Sequence, residues 1–144
     1  MKNKGFTLIE VLGVIAVLGL IAMVAMPNII DSLKKTDENK QKAYQNSILQ
    51  GTEIYVEQNR DLFKVRIGKG PGTYFLIKIY DAVATGYVQS TLTNSATGTT
   101  ADKDNGCVKI SINSNKSLSY DYISATGSGA DTTACLTVRT VIDQ

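Results

Sequence analysis

One apolar segment near the N-terminus constrains the fold of this chain more than any other feature. Between Gly5 and Ile30 the only charged residue is Glu10, and residues 6–26 read FTLIEVLGVIAVLGLIAMVAM. As an α-helix rising about 1.5 Å per residue, this run spans roughly 31 Å, close to the hydrocarbon thickness of a bilayer. The sequence therefore predicts a helix that is able to cross a membrane.

Three ordinary segments share this apolar character: a cleaved secretory signal, a plain membrane anchor and a buried core helix. A secretory signal has an apolar stretch of roughly 7 to 15 residues followed by an A-x-A-like cleavage site. This run is longer, and residues 22–26, AMVAM, lack that spacing. A plain anchor fits the length but leaves Glu10 unexplained, because a charge in lipid is costly unless it is paired. Glu10 therefore needs a partner.

Residues 5–10 read GFTLIE, after a short leader with two lysines and before the apolar stretch that ends near Pro27. These features resemble the class III leader of type IV pilins and their relatives. The resemblance implies cleavage after Gly5 by a prepilin peptidase and N-methylation of Phe6. It also implies that the apolar helix is kept as the part that assembles. The lysines favour a cytoplasmic N-terminus.

The resemblance suggests a role for Glu10. Cleavage creates an α-amino group at Phe6, which is largely cationic at neutral pH. In a bundle of helices, the Glu10 carboxylate of one subunit then meets the Phe6 amine of its neighbour. Such a pair costs less than an isolated buried charge and penalises every axial register that breaks it. We therefore predict that Glu10 sets the assembly register.

Gly19 and Pro27 are predicted to weaken the helix. Small residues permit close helix packing, while proline removes a backbone donor. In the family this stretch extends or partly unwinds in the filament, and we expect that break between Gly19 and Pro27. Ordinary packing with a kink is the alternative.

The sequence predicts four regions: a leader over 1–5, a transmembrane or filament-core half-helix over 6–27, an amphipathic half-helix over 28–62 and a globular head over 63–144. From Asn28 onward, apolar residues at spacings near three and four predict a stripe on one face of a continuous helix that runs from Phe6 to about Asn59. The members of this stripe are Ile30, Leu33, Ala43, Tyr44, Ile48 and Tyr55. We expect an α+β fold, in which the long N-terminal helix packs on a small antiparallel β-sheet, as in type IV pilins.

Three strands are predicted in the head from period-two alternation: Val108–Asn113, Leu118–Ile123 and Leu136–Ile142. A short polar connection between the first two indicates a hairpin, and an antiparallel meander is the simplest topology. Thr73–Ala84 is ambiguous between strand and helix. Its length, and a glycine at position 86 where a helix C-cap is expected, favour a short helix.

Cys107 and Cys135 are the only two cysteines of the chain. In a head that reaches an oxidising exterior, we expect them to form one disulfide bond, with two free buried thiols as the alternative. In many type IV pilins a C-terminal disulfide bounds an exposed loop, which is the role the resemblance implies for this pair.

The composition argues against catalysis and cofactor binding. The chain has no histidine and no tryptophan, so most metal sites and catalytic triads cannot be assembled from it. A net charge of +2 without a basic cluster does not suggest nucleic-acid binding. In the polar stretch Ser90–Gly106, Asp102, Asp104 and Asn105 lack the full calcium-loop pattern, so we predict a surface loop and no metal site. We expect no enzyme activity and no cofactor.

The resemblance implies a structural subunit of a type IV pilus. It would begin as a precursor in the cytoplasmic membrane and end in an extracellular filament on the bacterial surface. The implied partners are further copies of the chain, a prepilin peptidase that also methylates, an assembly ATPase and a membrane platform protein. Two alternatives remain: a pseudopilin of a type II secretion system or competence pseudopilus, and a membrane-anchored binding domain that does not polymerise.

Gly5→Ala tests the predicted cleavage site. We expect the wild-type chain to start at Phe6 and the variant to keep residues 1–5, because the residue before the cleaved bond is the feature the peptidase needs. Mass spectrometry of the N-terminal peptide from the cell envelope measures this. Leader removal from the variant at the wild-type rate would contradict the assignment of Gly5.

Overall fold

The computed structural model describes residues 6–138, with the side chains of residues 25–28 excepted. Its helices are α1 (Leu8–Gln58), α2 (Arg60–Ile67), α3 (Ile79–Ala84) and α4 (Ala130–Thr137), with a 3₁₀ turn at Ala101–Lys103; its strands are β1 (Tyr74–Lys78), β2 (Cys107–Ile112) and β3 (Leu118–Ile123). The predicted α+β class is confirmed. The leader, with Gly5, lies outside the described residues, as do residues 139–142 of the predicted third strand.

The backbone divides into two compact units, and the boundary between Asn39 and Lys40 falls within α1. In the described part of the first unit, the large apolar side chains are exposed. Ile30 and Leu33, which the sequence pattern assigned to the packed stripe, are 52% and 60% exposed. The backbone is helical through Gly19 and Pro27, so unwinding there stays a prediction about the assembled state.

In the second unit, α1 buries one face. Tyr44, Ile48, Thr52 and Val56 recur every four residues, and all are buried. Residues at this spacing lie along the same side of an α-helix. The Thr52 hydroxyl donates to the backbone oxygen of Ile48 at 2.8 Å, so its burial leaves no donor unsatisfied. The stripe predicted from the sequence therefore packs from Tyr44 onward.

The sheet is antiparallel, in the order β1-β2-β3. Phe75 lies opposite Ile110, and Ile110 lies opposite Tyr120, so one face of the sheet is apolar. This face shares a core with Tyr44 and Ile48 of α1. The hairpin predicted between Val108–Asn113 and Leu118–Ile123 is confirmed, and its two strands are β2 and β3.

The segment Thr73–Ala84 differs from its predicted single helix. Its first part forms β1 and only Ile79–Ala84 forms helix α3. Phe75 and Ile77 both lie on the core face of the sheet and pair with β2. Local propensity did not distinguish strand from helix here, and this packing favours the strand. The predicted glycine stop is present: Gly86 follows α3 with φ of 83°.

The predicted strand Leu136–Ile142 is wrong at its start, because Leu136 and Thr137 end helix α4. The sheet still has three strands, because Tyr74–Lys78, which the sequence pattern did not assign to a strand, forms β1. On α4, Ala134 and Cys135 pack against Leu76 and Ile123 on the other face of the sheet. Leu136 points away and is 55% exposed, so the alternation seen in the sequence does not mark a strand face.

Gly51→Ala tests how closely α1 approaches the segment after α3. A Cβ at Gly51 would lie 2.6 Å from the carbonyl oxygen of Tyr87 and 2.5 Å from a methyl group of Val88. We expect a loss of about 1–3 kcal/mol in unfolding free energy, because overpacking outweighs the better helix propensity of alanine. Chemical denaturation measures it. The exposed Gln50→Ala is the control, and equal stability of both variants would contradict the close contact.

Candidate assembly site

A capping box begins helix α1. The Thr7 backbone N–H and hydroxyl both donate to Oε2 of Glu10, at 3.2 and 3.1 Å. In return, the Glu10 N–H donates to the Thr7 hydroxyl oxygen at 3.4 Å. This reciprocal pattern satisfies donors that the first turn of a helix leaves unpaired. Glu10 therefore has a hydrogen-bond partner within its own chain.

Sequence reasoning missed this contact, although the signal was present. A threonine followed three residues later by a glutamate, directly before an apolar run, is the known pattern of a capping box. Thr7 fixes only part of the carboxylate, since an ionised carboxylate offers about four lone-pair sites. The Glu10 side chain is exposed in the single chain, so a second donor can still reach it.

The start of α1 presents apolar side chains on every side. Phe6 is 82% exposed and Leu8 is 88% exposed, and exposure continues to Val24 at 73%. By length and composition, α1 is able to cross a membrane: an 18-residue window has a mean hydropathy of 2.7. A helix that is apolar all round requires lipid or other helices as its surroundings. Most of the exposed large hydrophobic side chains among the described residues lie between Phe6 and Val24.

In the second unit, Asp104 is the centre of a buried polar cluster. Its Oδ2 accepts hydrogen bonds from the Tyr44 hydroxyl at 2.7 Å, Asn94 Nδ2 at 2.9 Å and the Tyr122 hydroxyl at 3.2 Å. Its Oδ1 accepts from the Gly106 N–H at 2.8 Å. Asp104 is 5% exposed, so these donors replace the water that the carboxyl group loses.

This cluster corrects the prediction that Ser90–Gly106 is simply a surface loop. Asn94 and Asp104 are both buried, and their contacts join the loop to α1 and β3. Burial, followed by the hydrogen bond to Asp104, raises the pKa of Tyr44. Among residues 6–138, no group of three or more His, Cys, Asp or Glu side chains is placed to hold a metal ion.

Cys107 and Cys135 form a disulfide bond, with their Cα atoms 5.8 Å apart. Both are fully buried and pack with Leu76 and Ile123. The bond links the first residue of β2 to helix α4, whereas the sequence placed Cys135 at the start of the predicted strand Leu136–Ile142. A cross-link of this kind contributes about 3 kcal/mol to a small domain.

Comparison with known proteins identifies the N-terminal segment. Residues 1–26 match the family model described as the prokaryotic N-terminal methylation motif. The chain carries this motif. The cleavage and modification residues predicted from the sequence, Gly5 and Phe6, lie within it, as do Thr7 and Glu10 of the capping box. The methylation motif that the sequence predicted is thereby confirmed.

Two curated proteins are similar to the chain. The first, the type IV wide pilus major component PilA4 of Thermus thermophilus, is 40% identical over 60 residues, which are 41% of this chain and 46% of that protein. The second, the type II secretion system core protein G of Dickeya chrysanthemi, is 32% identical over 72 residues, 50% of this chain and 42% of that protein. The chain thus matches less than half of either relative's length. No solved structure matches it significantly.

Asp104→Ala tests the buried cluster. The substitution leaves the buried Tyr44 hydroxyl without its acceptor, while Asn94 Nδ2 loses one of two acceptors and keeps the Tyr122 hydroxyl at 3.1 Å. Each lost partner costs about 1–3 kcal/mol. We expect the unfolding free energy to fall by about 3 kcal/mol or more, measured by chemical denaturation of the full chain in detergent. Asp102→Ala is the matched control at an exposed position two residues away. Equal stability of the two variants would show that the cluster is not structural.

Proposed function

We propose that this protein is a structural subunit that polymerises through residues 6–27 into a type IV pilus on the bacterial surface. The observation that carries the proposal is the exposed, all-round apolar start of α1, which lies within the methylation motif. Residues 6–27 are then surrounded first by lipid and later by other subunits. In the precursor it spans the cytoplasmic membrane, and in the filament it packs against the same segment of other copies.

The similarity to a major component of a wide pilus supports a pilus subunit. A pseudopilin is the second candidate, because the match to the type II secretion core protein covers half of this chain. Both candidates assemble through the N-terminal helix and differ in the length and location of the fibre. A membrane-anchored domain that never polymerises is the third, and it predicts that no copies leave the membrane.

The capping box refines the role proposed for Glu10. In the unassembled chain the Thr7 donors satisfy part of the carboxylate, which lowers the cost of keeping Glu10 in an apolar segment. After leader cleavage, the Phe6 amine of a neighbouring subunit adds an ionic partner. Glu10 thus begins the helix in one subunit and sets the register with the next.

The proposed partners follow from this assembly route. A prepilin peptidase cleaves the leader and methylates Phe6, and an ATPase acting through a membrane platform protein drives polymerisation. The chain itself acts by packing and display, without catalysis or a cofactor. The disulfide suits the oxidising exterior in which the proposal places the head.

Three variants separate the capping role of Glu10 from its ionic role. Glu10→Gln keeps an oxygen that can accept from Thr7 but carries no charge, Glu10→Ala removes both, and Thr7→Ala removes the side-chain cap alone. We expect both Glu10 variants to lose at least about tenfold in filaments sheared from cells, because the subunit register depends on the charge. We expect Thr7→Ala to lose less, since a cap contributes only about 1 kcal/mol.

The N-terminal mass and the amount of each variant in the membrane fraction serve as controls for processing and insertion. Wild-type filament levels from Glu10→Gln would refute the ionic role and leave the cap as the function of Glu10. A wild-type chain that is processed but never recovered outside the membrane would refute polymerisation itself.

A further inference from the structure

The outer face of helix α2 carries an exposed aliphatic pair. Leu62 is 70% exposed and Val65 is 80% exposed. They are three residues apart and therefore neighbours on the helix surface. In the described part of the second unit, no other large hydrophobic side chain exceeds 55% exposure. We call Leu62 and Val65 the α2 patch.

The opposite face of α2 is fixed in the core, so the patch cannot turn inward. Phe63 is 1% exposed and packs edge-on against Tyr55, with ring centroids 5.5 Å apart. It also stacks on Phe75 of β1 at 5.6 Å. Aromatic pairs of this kind add to the stability gained by burial. With Phe63 held on two sides, Leu62 and Val65 face outward from the single chain.

The size of the α2 patch restricts what can cover it. A stable complex between freely diffusing proteins buries about 800 Å² on each partner, far more than two aliphatic side chains provide. A small contact becomes effective only when another interaction already holds the partner close, at a high effective concentration. In the proposed polymer, the N-terminal segment supplies that tether between copies.

We propose that the α2 patch is a contact between the heads of neighbouring copies of this chain in the filament. This inference rests on the proposed function and adds to it a specific surface outside the methylation motif. Filament contacts join two different surfaces of identical subunits, so the patch of one copy meets another part of its neighbour. The contact stabilises the fibre once polymerisation has placed the heads side by side.

Site-specific photo-crosslinking in living cells identifies the occupant directly. Val65 is replaced by p-benzoylphenylalanine in the full-length chain, and Leu136, exposed on α4, is replaced in a second strain as the comparison position. We expect irradiation to give an adduct with the mass of two copies from position 65, at several times the yield from position 136. Sheared filaments are collected from the same cells.

The outcomes are distinct. Filaments together with a two-copy adduct support the inference. Filaments without that adduct, or with an adduct to a different protein, overturn it while leaving the proposed function intact. Absence of filaments from wild-type cells overturns the proposed function, and the inference falls with it.

A double variant, Leu62→Asn with Val65→Thr, tests the energetic contribution of the patch. Because both side chains are exposed, we expect an unchanged denaturation midpoint and unchanged leader processing, but at least about a fivefold loss of filaments that survive shearing. Leu136→Asn is the matched control and should retain them. Undiminished, shear-resistant filaments from the double variant would overturn the inference.

Discussion

The buried carboxyl group of Asp104 determines how the parts of the second unit fit together. Its Oδ2 accepts from Tyr44 in α1, Asn94 in the connection before β2 and Tyr122 in β3. Hydrophobic contacts, such as those of Ile48, are non-directional and tolerate small shifts. Three hydrogen bonds to one buried oxygen do not, because each broken bond leaves an unsatisfied group in the interior. The cluster therefore fixes the position of α1 against the sheet.

A second polar contact, local to one helix, lies at the start of α1. Thr7 and Glu10 satisfy each other in a segment where polar groups are otherwise absent. Each unit thus combines apolar surface with a polar arrangement of defined geometry. The apolar surface provides most of the driving force for association, and the polar arrangement selects one geometry among many. This division of roles explains how a few polar side chains can determine the geometry, although many exposed charges surround them.

The sequence predicted the features that depend on local signals. The lone Glu10, the length of the apolar run, the stripe at Tyr44 and Ile48 and the β2–β3 hairpin all follow from short-range patterns. The burial of Asp104 was not predictable, because Tyr44 lies 60 residues away in the chain. Likewise β1 and α4 are short, so tertiary packing decides whether each forms a strand or a helix. For β1 this is the pairing with β2, and for α4 it is the packing around the disulfide. The Thr7–Glu10 contact, in contrast, has a local sequence signal, the threonine followed three residues later by glutamate, and it was not predicted.

The bond between Cys107 and Cys135 also limits how far one subunit can be stretched. It closes a segment of 28 residues, whose extended length would be roughly 90–100 Å. Tension applied to the chain on either side of this segment passes through the two sulfur atoms instead of unravelling β2 and β3. A fibre built from such subunits would keep that hidden length in reserve, releasing it only when the sulfur–sulfur bond is reduced.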